Sequence, residues 1–226
     1  ALELVEGHAH GVSLAINADQ AKSVRRTAHE RGISICALRF ERLNAADVER
    51  AASLAGALGA AVVVAAGGVG SEFLAGAARS FAEAGSELLV AVHSDPAVVE
   101  QQMRLLASAS TQGSVGLAWD VRPGQDDPAL LGGVWAAAGV RLRYVRLHGG
   151  GPEAAEQTGT GVGALMGRLA RERYAGPLVL TPSTHRYHYV WRAWLGRAGG
   201  WGCGSRQSGP SRVTLDPEIL FSGDRR

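Results

Sequence analysis

LLVAVHSDPAVVEQQMRLLASASTQGSVGLAWDV (88–121) holds a complete strand–helix–strand unit. LLVAVH is continuously apolar, which is how a strand covered on both faces reads. Ser94-Asp95-Pro96 puts proline in a first helical turn, where its missing N–H costs nothing. The helix that follows returns the chain to a second apolar run, VGLAWDV (115–121), so the two strands run parallel. The same unit recurs about every 28 residues, through ISICALR (33–39), AVVVAAG (61–67), RYVRLHG (143–149) and PLVLTPS (177–183). This rhythm predicts an α/β fold of the (β/α)8 barrel type.

The helices between the strands carry start and stop signals. Asn17 with Gln20 forms a capping box, and Gly32 follows that helix. Asn44 and Gly59 bracket the second helix, and Ser71 and Gly85 the third. Asp127-Pro128 repeats the proline start, and Gly139 and Gly176 follow later helices. ALELVEG (1–7) reads as one more strand, which makes seven before residue 184. A closed barrel has eight. The eighth is expected from a first βα unit preceding this chain, from VTLDPEILF (213–221), or not at all, leaving an open barrel with exposed edges.

The chain has 226 residues, 46% of them hydrophobic, enough for a single barrel domain over 1–226. The net charge of +2 argues against nucleic acid or a membrane surface as partner. Cys36 and Cys203 give neither a disulfide framework nor a metal spacing, and Cys36 reads as a buried, inert thiol. No signal peptide or apolar run of membrane-spanning length is evident, so a cytoplasmic location is expected. Residues 184–226 form a divergent C-terminal helix and tail. Trp191, Trp194 and Trp201, with Tyr187, Tyr189 and several arginines, suit either a helix packed on the barrel or a homo-oligomer interface.

In barrels of this type chemistry gathers at the carboxyl ends of the strands. Strand alternation places Tyr144, Arg146 and His148 on the face opposite Val145 and Leu147, and Asp120 opposite Trp119 and Val121. The apolar face is the one the helices need, so Asp120, Arg146 and His148 are expected to point into the barrel. His93 and Arg39 end their strands, Arg122 follows Asp120, and His8 and His10 follow the first strand. Each also has a structural reading. Asp120 suits a helix cap, His93 and His148 suit structural histidines, and an inward Arg146 needs a partner, for which Asp120 is the candidate.

At these residues the sequence resembles the xylose isomerase-like barrel superfamily, which includes sugar and sugar-phosphate isomerases and epimerases and the endonuclease IV-type enzymes. ALELVEG resembles its second-strand pattern, with a glutamate at Glu3, which favours a first unit preceding this chain. SVGLAWDVRPG resembles its sixth-strand segment ending in an aspartate, Asp120, and RLRYVRLHGGG its seventh. TGTGVGALMGRLARERYAGPLVLTPS resembles its glycine-rich loop and eighth strand, with Gly159 and Gly161 and a Tyr174–Gly176 turn. The resemblance implies a divalent metal, Mn, Zn, Co or Mg, held by Glu, Asp, His and Glu. This sequence sets Val92, Asp120, Arg146 and Thr181 there, so only the aspartate is kept. A rearranged set of His93, Asp120 and His148 is the remaining way to hold an ion.

Two functions follow. One is an isomerase or epimerase moving a proton beside a carbonyl of a small carbohydrate or phosphosugar. Asp120 would be the base, His148 or His93 the acid, and Arg146 the cation replacing the metal, with Glu3, Arg39, Arg122, Gly159, Gly161 and Thr181 binding substrate. The other is a barrel without catalysis that binds a small anionic metabolite.

Overall fold

The computed structural model describes residues 2–7, 12–66, 71–109, 115–122, 127–148, 165, 169 and 171–181. Seven parallel strands lie in chain order in one sheet: β1 (Leu2–Val5), β2 (Ile35–Phe40), β3 (Val62–Ala65), β4 (Glu87–His93), β5 (Val115–Val121), β6 (Leu142–His148) and β7 (Leu178–Thr181). Between them run α1 (Ala18–Glu30), α2 (Val48–Leu58), α3 (Ser71–Glu83), α4 (Pro96–Ala109) and α5 (Pro128–Ala138). Neither β1 nor β7 has a second neighbour among the described strands, so the seven described strands form a nearly closed barrel, one strand short of (β/α)8. Among the described residues no helix is long and apolar enough to cross a membrane. Residues 8–11, 149–164 and 182–226 lie outside the description, and with them His8, His10, Gly159, Gly161 and the Trp-rich segment.

The curling of the sheet follows from contacts across it. β2 and β5 are three strand spacings apart, about 14 Å in a flat sheet. Yet the Arg39 guanidinium on β2 and the Asp120 carboxylate on β5 approach to 2.6 Å. β1 and β6 are five spacings apart, and Glu3 meets both Tyr144 and Arg146. Side chains on one face meet this way only if that face is the inside of a barrel.

Two apolar clusters line the two sides of the sheet. The larger lies under the helices and takes Leu38, Phe40, Val63, Leu88, Val90, Val92, Leu117, Trp119, Val145 and Leu147 from the strands. The smaller fills the lower lumen with Ala37, Val62, Val64, Leu89, Ala118 and Tyr144. The alternation expected for β5 and β6 is therefore the one the fold adopts. In β2 the alternation slips: Leu2 faces Ile35 while Glu3 faces Ala37, leaving Cys36 in a bulge. Cys36 is consequently half-buried, contrary to its expected burial, and its thiol reaches Leu2 O at 3.4 Å.

Most helix signals act as read. Asn17 and Gln20 make the reciprocal capping box. Asp127 Oδ1 accepts from Ala129 N at 2.7 Å with Pro128 beginning α5, and Asp95 Oδ1 accepts from Ala97 N at 2.9 Å. Gly59 ends α2 with φ 71°, a left-handed conformation that glycine adopts without strain. Asn44 differs: it leads into a 3-10 turn, Ala45–Asp47, makes no side-chain cap, and α2 starts only at Val48.

The Tyr174–Gly176 turn has a steric explanation. The Tyr174 ring packs edge-on against Trp135, with centroids 6.2 Å apart, and its hydroxyl donates to Pro177 O at 3.2 Å. That path crosses directly over Gly176, so a β-carbon there would overlap the Tyr174 hydroxyl and the Arg143 carbonyl oxygen. Burial also raises the Tyr174 phenol above its ordinary pKa. Gly176→Ala is expected to destabilise the fold by about 1–3 kcal/mol, because backbone cannot yield as a side chain can. Urea denaturation of the two proteins measures it.

Candidate active site

The upper lumen is built from inward positions of β1, β2, β5 and β6. β2 brings Arg39, which is 3% exposed, and β5 brings Asp120, which is fully buried. Their contact is bidentate: Arg39 Nη1 donates to Asp120 Oδ1 at 3.2 Å and Nη2 to Oδ2 at 2.6 Å. Arg39 Nε donates to Glu41 Oε1 at 2.8 Å, so one guanidinium is held by two carboxylates. Burial acts against the Arg39 charge, but Asp120 and Glu41 outweigh it and raise its pKa. Burial likewise pushes Asp120 up, and His148 with Arg39 more than offsets this, leaving its pKa lowered.

A second cluster crosses from β6 to β1. Tyr144 Oη donates to Glu3 Oε2 at 2.5 Å, and Arg146 Nε lies 3.0 Å from Glu3 Oε1. Arg146 is thus paired with Glu3, where the sequence pointed to Asp120. The reason is the register. Arg146 stands beside Asp120 on the neighbouring strand, but Arg39 reaches across the lumen and takes both Asp120 oxygens. Burial first, and then the Glu3 carboxylate, raise the Tyr144 pKa, so this phenol stays protonated as a donor.

Two histidines stand at the carboxyl ends above these pairs. His148 ends β6 with Nε2 3.8 Å from Asp120 Oδ2, an electrostatic contact beyond hydrogen-bond length. His93 ends β4, and Arg122 Nη2, on an exposed side chain, lies 3.4 Å from its Nε2. His93 Nδ1 and His148 Nε2 are buried without a hydrogen-bond partner among the described residues. Burial, and then the Arg122 charge, lower the His93 pKa, which keeps its imidazole neutral at pH 7.

The strand pairing gives the neighbours of the residues at the expected ligand positions. The β4 residue beside Asp120 is His93, whereas Val92 is packed beneath the helices. On β7 it is Val179 that pairs with Arg146, and Thr181 pairs with His148. Glu41 and Tyr144 are the two members of these networks that sequence reasoning gave no role. Strand parity did place Tyr144 inward, and Glu41 two residues past Arg39 continues the same alternation.

A divalent ion needs several oxygen or imidazole donors. Among the described residues no three His, Cys, Asp or Glu side chains gather into a group able to hold one. Asp120, the aspartate that the resemblance makes a ligand, already gives both oxygens to Arg39. The described residues do not fit the ion.

Parallel strands in chain order with helices between them make a barrel fold that this chain has in common with known proteins. Solved structures share it. The xylose isomerase domain protein from Planctomyces limnophilus superposes with a TM-score of 0.61 at 11% identity, over 86% of this chain and 84% of that one. D-psicose 3-epimerase does so with a TM-score of 0.59 at 13% identity, over 85% and 78%. The 3-keto-D-glucoside 4-epimerase from E. coli gives 0.57 at 11% identity, over 80% and 84%. No family model matches the sequence, and no curated protein does.

Proposed function

We propose that this chain is an isomerase or epimerase of a small carbohydrate or phosphosugar in which His93 and His148 carry the proton. The observation that carries the reading is the pair of buried, unpartnered imidazole nitrogens at one barrel mouth. Sugar epimerases among the solved structures of this fold support the substrate class. Neutral His93 takes the proton from the carbon beside the carbonyl, and His148 returns one to the intermediate, so no oxidant or reductant is consumed. Asp120 is buried and occupied by Arg39, so it serves beneath His148 as a fixed neighbour rather than as the base. Arg146, one inward position below His148, supplies fixed positive charge toward the enediolate.

Deuterium uptake from heavy water beside the carbonyl, followed by NMR over a panel of free and phosphorylated ketoses and aldoses, tests this. His93→Gln and His148→Gln are each expected to slow uptake about a hundredfold. Uptake by both variants at the unaltered rate would sink the assignment.

A second reading, a barrel that only binds an anionic metabolite, has one observation in its favour. Glu3 and Asp120, the inward carboxylates described, are both already held by arginines. Saturable binding of a phosphosugar by calorimetry, with no deuterium uptake above that of the double His→Gln variant, is the result that would select it.

A further inference from the structure

We infer that Arg39 fills, with a fixed guanidinium, the place a divalent cation would take against Asp120, so that this lumen works without a metal there. The argument is geometric and holds whether or not the histidines turn over a sugar. A carboxylate that ligates a metal must turn an oxygen lone pair toward it. Asp120 instead meets a parallel two-pronged fork, Nη1 to Oδ1 and Nη2 to Oδ2, the most directional pairing a carboxylate makes. The fork cannot swing away freely, because Arg39 Nε is held at 2.8 Å by Glu41, the residue just past the end of β2. A dication entering beside Asp120 would meet the positive charge of Arg39, buried where solvent screens little.

The assignment also separates the roles of the two lumen arginines. Arg146, which the sequence suggested as the cation replacing a metal, pairs with Glu3, while Arg39 is the guanidinium set against both Asp120 oxygens. Arg39 comes from β2, a strand that gives no ligand in the metal set implied by resemblance. The replacement is therefore from across the lumen rather than at a ligand position, which is why comparing ligand positions alone does not find it.

The test uses the full chain, purified without chelator and titrated with Mn2+. Free Mn2+ is read by electron paramagnetic resonance, and proximity by paramagnetic broadening of the His93 and His148 imidazole NMR signals. The unaltered chain is expected to take up no stoichiometric Mn2+ and to show no selective broadening. Arg39→Ala, which uncovers Asp120, is expected to bind Mn2+ at least tenfold more tightly, and adding Asp120→Asn to remove that gain. Stoichiometric uptake by the unaltered chain with both histidine signals broadened overturns the inference, as does a folded Arg39→Ala chain that gains nothing. Circular dichroism establishes folding. If Arg39→Ala does not fold, Arg39→Gln is read in its place, and the broadening experiment on the unaltered chain decides without either variant.

Discussion

Asp120→Ala is expected to destabilise the protein by about 3–5 kcal/mol, the loss typical of breaking a buried ion pair by removing one partner. The carboxylate is fully buried, and its removal leaves a guanidinium that is 3% exposed with, among the described residues, Glu41 alone to neutralise it. Most of that loss is the uncompensated charge rather than the worth of the pair. Arg39→Met added to Asp120→Ala should therefore recover much of it, and urea denaturation of the four proteins gives the coupling. If the double variant is as unstable as the sum of the singles, the two residues act independently and the pairing described here is not what holds them. The pair also sets an acid limit. The Asp120 pKa is lower in the folded chain than in the unfolded one. Its stabilisation is then complete above the ordinary aspartate pKa and is lost as pH falls through the lowered folded value. Asp120→Asn should flatten that part of the stability profile.

Glu3→Ala carries the next largest expected loss, about 3 kcal/mol, because one carboxylate serves two partners on the opposite wall. Tyr144→Phe, which removes one neutral donor and keeps the ring in the lower lumen, should cost only about 1 kcal/mol. The ratio of the two separates charge from hydrogen bonding in joining β1 to β6. Equal losses in thermal and urea melts would mean that the Tyr144 hydroxyl, not the Arg146 contact, makes the connection.

The fold was legible because each βα unit announces itself locally. Apolar runs, the Asn17–Gln20 box and the Asp95-Pro96 and Asp127-Pro128 starts all lie within a few residues of the features they predict. Facing was legible too, since Val145 and Leu147 under the helices require Arg146 and His148 inside. Partners were not. Arg39 and Asp120 are 81 residues apart and Glu3 and Tyr144 are 141, and no pattern in a single sequence encodes which inward charge meets which. Val92 and His93 show the other limit. They are neighbours in sequence, and in a strand one residue is the difference between the helix-facing core and the lumen.

The order of synthesis gives the two lumen pairs a further meaning. Their early members, Glu3 and Arg39, emerge from the ribosome well before Arg146 and Asp120, which come with β6 and β5, although Glu41 follows Arg39 at once. A nascent half-barrel ending after β4 would hold a glutamate and an arginine on one wall with the opposite wall still unmade. Such an intermediate gains little by closing early, because the contacts that fix its curvature are the ones of longest sequence separation. The early and late strands of this protein are thus bound to one another by charge as well as by hydrogen-bonded pairing.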